Sequence, residues 1–214
     1  DSNASRGLGD VYKRQDLRVA FIQGGGLRNA IPRESKTTLV CAKEDFAALE
    51  AALTESRDTL KAEYATTDPD LTVEWNSVAL PGQVMGEEDQ YALLLAIQTC
   101  PVGIHRMSPD IAGLVQTSNN LARVDVQDGQ VEIQCLNRSS VDSEKEDHAR
   151  SIEAAFALAG LQTERSGAYP GWTPNPSSEA VAMCRDLYEE RYEEAPRVLA
   201  CPVSYTHLRA HETR

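Results

Sequence analysis

Apolar and polar positions alternate in LRVAFIQ, residues 17–23, with Leu17, Val19 and Phe21 on one face. That two-residue period predicts a half-buried strand. Gly24, Gly25 and Gly26 follow and permit a sharp connection with positive φ. TTLVCA, residues 37–42, is β-branched and predicts the returning strand. Over residues 44–65 the period lengthens. Phe46, Leu49, Leu53, Leu60 and Tyr64 share a stripe, and Glu44 and Asp45 suit the positive end of a helix. Asp68-Pro69-Asp70 stops it, LTVEW at 71–75 predicts a short strand, and Pro81-Gly82-Gln83 a loop.

A second helix is predicted over about 87–99, ending before Pro101 because the residue preceding proline disfavours the helical region. Residues 114–126 and 130–136 form the clearest hairpin. Asp128-Gly129 supplies its tight turn between Val124/Val126 and Val131/Ile133/Cys135. Ser143 is placed to cap a helix through Ala159, with Glu146 completing a capping box and Gly160 ending the helix. LQTERS, residues 161–166, predicts another strand. A last helix is predicted over 178–192, with Val181, Cys184 and Leu187 inward. Strand, turn, strand, helix and strand thus occur over 17–75 and again over 114–165, a faint repeat of pattern. The implied class is α+β: an antiparallel sheet with helices on one face.

The chain has 21 Lys/Arg against 33 Asp/Glu, a net charge of −12. That acidity opposes nucleic-acid binding, which needs a basic patch, and attraction to an anionic membrane surface. No apolar run approaches the roughly 20 residues needed to cross a bilayer. The five cysteines (41, 100, 135, 184 and 201) are scattered and form no C-x-x-C pair. They read as reduced, buried thiols of a cytoplasmic protein rather than a zinc ribbon or disulfide framework.

Both ends read as non-native. One oligonucleotide, similar to a transposase adapter of sequencing libraries, encodes SRGLGDVYKRQ (5–15) on one strand and VSYTHLRAHE (203–212) on the other. Ser2-Asn3-Ala4 resembles an expression-tag scar. Residues 1–15 and 203–214 are therefore set apart from the fold. His207 and His211, four apart as metal ligands on a helix would be, fall in the adapter-like part and are read as a decoy.

Four motifs carry a resemblance: GGGLRNAIPRES (24–35), LVQTSNNL (114–121), CLNRSSVDS (135–143) and GAYPGW (167–172). Their order and spacing are similar to the aminoacyl-histidine dipeptidases. These are bacterial enzymes of the co-catalytic zinc metallopeptidase family that also holds carnosinases and aminoacylases. The resemblance spans about residues 16–202 and implies the following division. Residues 16–166 match the lid, or dimerisation, domain, and 167–202 match the entry into the C-terminal part of the catalytic domain. GAYPGW would be the hinge between them. The family's two metal ions (zinc or manganese), its general-base glutamate and its GGHSG histidine would lie outside this stretch. The resemblance thus implies a cytosolic enzyme acting on Xaa-His-type dipeptides, a homodimer through the lid, and no activity for this piece alone. The alternatives are a related exopeptidase or deacylase of the same family, and a non-enzymatic α+β binding or assembly module.

Two substrate-binding residues follow from the resemblance. Asn29, in RNAIPRE, would hydrogen-bond the bound peptide, since an amide donates and accepts at once. The plainer alternative is an asparagine stabilising its own turn. Arg138, in NRSSVD, would hold the substrate's C-terminal carboxylate with its two-pronged guanidinium. The plainer alternative is a surface arginine paired with Asp142 or Glu132. Arg28, Arg33 and Glu34 are expected to orient the loop through local ion pairs. His148 is expected to be solvated on a charged helix, and His105 to sit in a loop. No Gly-x-Ser-x-Gly elbow and no His-x-Asp metal motif occurs, so no catalytic or metal-binding residue is assigned.

Overall fold

The computed structural model describes residues 17–171, 175 and 177–198. The elements are β1 (Arg18–Gly25), β2 (Ser35–Val40), a 3-10 turn (Lys43–Asp45), α1 (Phe46–Glu63), α2 (Glu87–Thr99), β3 (Gly103–Met107), β4 (Val115–Gln127), β5 (Gln130–Ser139), α3 (Asp142–Leu158) and α4 (Glu179–Tyr192). The fold is α+β. The strands form a five-stranded sheet in the order β2-β1-β4-β3, with β5 also paired to β4. β1 and β2 are antiparallel, running from Arg18 opposite Val40 to Gly24 opposite Ser35, with a bulge between Val19 and Phe21. β3 and β4 are antiparallel from Gly103 opposite Asn119 to Met107 opposite Val115. Asp128 and Gly129 take φ of 52° and 73° in the β4–β5 turn. Two positive-φ central residues are what a type I′ hairpin demands.

The chain divides into two compact units, one holding residues up to Gly24, Arg33–Tyr91 and Val124–Glu132, the other Gly25–Pro32, Ala92–Arg123 and the chain from Ile133 onward. In the first, Gln90 replaces a sheet neighbour. Its Oε1 accepts from Val19 N (2.7 Å) and its Nε2 donates to Leu17 O (3.0 Å). Val19 O in turn accepts from Met85 N at 2.8 Å. The expected stripe of α1 is only partly covered: Leu49 is buried, whereas Phe46, Leu60 and Tyr64 are exposed.

The second unit holds a core of Ala96, Cys100, Ile152 and Phe156, against which Leu121, Ile133, Cys135, Ala159 and Leu161 pack. Gly160, at φ 73°, ends α3 as anticipated. Its N–H donates to Ala157 O, and Leu161 N–H to Phe156 O. These two bonds satisfy the last carbonyls, while Leu161 packs back on the core.

Several expected elements differ. Residues 71–75 and 161–166 form no strand. Neither pairs with a strand of the sheet, and β-propensity without a partner does not make a strand. β3 was not anticipated. The capping box at Ser143 is absent: the N-cap of α3 is Val141, without a side-chain bond, and Ser143 lies inside the helix. Asp142 turns outward instead, to Lys145 Nζ (2.7 Å) and Gly171 N (2.7 Å). On α4, Ser178 caps as expected by accepting from Val181 N, but Cys184 and Leu187 are exposed.

Candidate functional site

Asn29 sits at the tip of the β1–β2 loop. Gly25 ends β1 at φ 72°, and a Cβ there would run into Ala122 O of β4, so the chain passes too close for any other residue. Residues 27–30 then form a turn closed by Ala30 N donating to Leu27 O at 3.0 Å. Asn120, on β4, spends both amide hydrogens on the loop: Nδ2 donates to Arg28 O (3.1 Å) and Ala30 O (2.7 Å). The two carbonyls flanking Asn29 are thereby pinned. The Asn29 side chain is exposed and, among the described residues, makes no hydrogen bond. The turn is therefore not held by Asn29 itself. Nor do Arg28, Arg33 or Glu34 form the expected ion pairs among the described residues. Asn120 does their work, and it was missed although it lies in the LVQTSNNL motif. Leu27 and Ile31, two residues to either side of Asn29, are 72 % and 81 % exposed.

At Arg138 the neighbouring residues are anchored through their own side chains. It is the penultimate residue of β5, and strand alternation places Asn137 and Ser139 on the opposite face. Asn137 Nδ2 donates to Lys145 O at 2.9 Å. Ser139 Oγ bonds Thr117 Oγ1 at 2.8 Å and accepts from Val141 N at 3.1 Å. Arg138 itself is exposed and has no hydrogen bond or ion pair among the described residues. The anticipated partner Asp142 is engaged by Lys145 and Gly171. Asn29 and Arg138 belong to the same unit, and no bond joins them.

Beside the strand end lies a carboxylate network. Glu144 of α3 accepts from Gln116 Nε2 (2.6 Å), from Thr117 Oγ1 and from Arg106 Nη1 (3.1 Å). Its desolvation alone would raise its pKa, but these three donors outweigh it and hold the carboxyl below the usual glutamate range. One turn further along α3, His148 is 1 % exposed and stacks on His105 of β3, ring centroids 4.2 Å apart. Burial, then the neighbouring His105, push the His148 pKa down. This corrects both histidine expectations: His148 is core, and His105 is in a strand. The sequence signal was the α3 stripe itself, because His148 stands four residues before buried Ile152 and continues the row Ile152, Ala155, Phe156.

The GAYPG segment returns to the start of α3. Lys145 Nζ donates to Tyr169 O at 2.5 Å, and a Cβ on Gly171 would lie 2.6 Å from Ser140 O. Trp172, His207, His211, Cys201 and both adapter-like ends lie outside the described residues. Among the described residues no three of His, Cys, Asp or Glu lie together to hold a metal ion. No helix among them is long and apolar enough to cross a membrane.

The chain is similar to part of two dipeptidases. The chain is 33 % identical over 183 residues to the cytosol non-specific dipeptidase of Escherichia coli strain K12, covering 86 % of this chain and 38 % of that protein. Its fold matches the crystal structure of an aminoacylhistidine dipeptidase from Vibrio alginolyticus with a TM-score of 0.86 and 35 % identity, over 93 % of this chain and 41 % of that one. The chain thus spans about two fifths of the length of the relatives it matches. No family model matches it.

Proposed function

We propose that the chain is the lid of a metal-dependent dipeptidase acting on Xaa-His-type dipeptides, supplying Asn29 and Arg138 as substrate-binding residues. In this reading residues 16–166 are the lid, which also carries a homodimer contact. Residues 167–202 begin the C-terminal part of the catalytic domain. Two divalent metal ions, zinc or manganese, and the general base sit on the rest of the enzyme, so this chain alone is inactive. A cytoplasmic location accords with a relative named a cytosol dipeptidase.

One observation carries the reading. The carbonyls flanking Asn29 are held by Asn120, and the residues flanking Arg138 are anchored through their side chains, while Asn29 and Arg138 themselves are exposed and unpartnered among the described residues. A guanidinium that serves structure finds a carboxylate. This one is held in place and left open, although the chain is rich in acidic groups. A free C-terminal carboxylate suits it, because the fork meets two oxygens at once. The amide of Asn29 suits a peptide group, which offers both a donor and an acceptor.

The test is a chimera in which residues 17–198 replace the matching segment of the Escherichia coli relative. Arg138→Ala should weaken dipeptide turnover by about 2–5 kcal/mol in kcat/KM, the usual loss when a desolvated charge loses its partner. Arg138→Lys should recover little. The C-terminal amide of the same dipeptide should be nearly indifferent to both changes. Equal losses on acid and amide would remove Arg138 from the carboxylate role.

A further inference from the structure

We propose that Glu144 and Thr117 are positioning residues for Arg138: a row of hydrogen bonds anchored on the Glu144 carboxylate fixes the end of β5 from which Arg138 reaches a substrate carboxylate. The inference rests on the reading of Arg138 given above and adds how that side chain is aimed.

The row can be followed atom by atom. Glu144, in the first turn of α3, accepts from Gln116 Nε2 (2.6 Å), from Arg106 Nη1 (3.1 Å) and from Thr117 Oγ1. Thr117 Oγ1 also bonds Ser139 Oγ at 2.8 Å, and Ser139 Oγ accepts from Val141 N at 3.1 Å. Proton counting gives these bonds a direction. A carboxylate only accepts, so Thr117 gives Glu144 its one hydroxyl hydrogen. Ser139 must then donate to Thr117, and its lone pairs are left for the Val141 N–H. Both hydroxyl hydrogens of the row thus point toward Glu144. Gln116 adds a second tie, since its backbone carbonyl accepts from Ser140 N at 3.1 Å while its side chain donates to Glu144. Ser139 and Ser140 are therefore both fastened to β4. Arg138 directly precedes them, exposed and without a partner among the described residues.

Stability alone does not account for this arrangement. Thr117 is 0 % exposed and the Glu144 side chain 13 %, whereas Arg106, the cation among its three donors, is 57 % exposed. Taking a carboxylate out of water is costly, and apolar side chains of similar volume often serve stability as well or better. What the charge supplies is direction. An apolar contact would let the end of β5 shift, while a row of hydrogen bonds with fixed polarity holds it in one place. A guanidinium meets two carboxylate oxygens at once only in the right plane and at the right reach, so a small displacement of its strand weakens the contact. An arginine left open for a ligand needs a mounting of this kind.

Kinetics of the chimera on a dipeptide and on its C-terminal amide test the row. Thr117→Val keeps the shape of the side chain and removes its hydroxyl. It should raise KM for the dipeptide about ten-fold, with kcat close to its starting value and the amide nearly unaffected. Thr117→Ser keeps the hydroxyl and should hold KM near that of the parent chimera. Glu144→Gln turns an amide NH2 toward the same donors and should repeat the Thr117→Val pattern. In an Arg138→Ala background neither change should raise KM further, because both act through that guanidinium. Ser139→Ala cuts the row at a half-buried position and takes the place of Thr117→Val if that variant does not fold. Two results would overturn the positioning role and leave the reading of Arg138 standing, provided Arg138→Ala still separates acid from amide. One is a loss shared equally by the two substrates in Thr117→Val or Ser139→Ala; the other is a Thr117→Ser variant no better than Thr117→Val. Equal losses on acid and amide in Arg138→Ala itself would overturn the reading of Arg138, and this proposal with it.

Discussion

The two compact units bury their residues in different ways. In the first, Leu17 and Val19 of the β1 region are buried, but α1 hides only Leu49 and leaves Phe46, Leu60 and Tyr64 exposed. Much of its order comes from one buried amide, Gln90, acting as a substitute strand neighbour. In the second, α3 buries His148, Ile152, Ala155 and Phe156 in one row. The polar groups there form networks: Thr117 with Ser139 and Glu144, Asn119 with Pro101. Both candidate substrate contacts, Asn29 and Arg138, are built on this second unit. A side chain can wait unpartnered for a ligand only if its backbone is fixed by other means.

The largest effect should come from cutting each core in turn. Phe156→Ala should cost about 3–5 kcal/mol, the usual price of deleting a buried aromatic ring. Leu49→Ala should cost less, at or below the lower end of about 2–5 kcal/mol, because the surrounding α1 stripe is half open and can relax. Denaturant titrations of both variants measure this. An equal or larger loss at Leu49 would break the contrast between the units.

The next effect is a pH dependence confined to the second unit. Burial, reinforced by His105, holds the His148 pKa below the unfolded value of about 6.5. Above pH about 6.5 both folded and unfolded states carry a neutral imidazole, and pH has no leverage. As pH falls below it, the unfolded chain binds the proton more readily than the folded one, so stability is lost until the folded pKa is reached. The slope is at most about 1.4 kcal/mol per pH unit. Glu144, Asp142 and Glu153 are held below their ordinary values by their donors, so their contributions are lost only at lower pH. Denaturation midpoints between about pH 7.5 and 5 should therefore fall, and His148→Leu should flatten the curve. A slope unchanged in that variant would remove His148 as its source.

The elements legible in the sequence were those specified by local chemistry. The Asp128-Gly129 hairpin, the Gly160 stop and the α2 span needed only turn residues, a left-handed position and a proline. What failed depended on partners distant in the chain. Residues 71–75 and 161–166 have strand composition but pair with no strand of the sheet. β3, Gly-Ile-His-Arg-Met, has little strand composition and is ordered by its ladder to β4. His148 looked solvated because its neighbours in sequence are charged, whereas its neighbours along the helix face are Ile152 and Phe156. Asn29 and Arg138 are proposed from motif resemblance, and no periodicity singles them out. Asn120 was passed over because what it does, reaching about ninety residues back to hold a loop, leaves no mark in its own surroundings.

The sharpest form of the comparison sets the two amide clamps against each other. Gln90 and Asn120 each make two bonds to backbone atoms. Gln90 is 5 % exposed and Asn120 only half-buried. Removing Gln90 leaves Val19 N–H and Leu17 C=O facing a dry interior, so Gln90→Ala should cost about 1–3 kcal/mol of stability. Removing Asn120 leaves two carbonyls on an exposed loop, where water replaces the lost donors, so Asn120→Ala should cost under about 1 kcal/mol. Its consequence should be felt at Asn29 instead. With Arg28 O and Ala30 O released, the loop tip samples more conformations, and ordering it again is charged to substrate binding. In the chimera, Asn120→Ala should therefore weaken dipeptide turnover in the same direction as Asn29→Ala while the melting temperature barely moves. Combining the two changes should add little to either alone, because both act through one side chain. Additive losses would mean that Asn120 acts elsewhere. A large fall in melting temperature would make it a structural clamp like Gln90 and erase the distinction between the units.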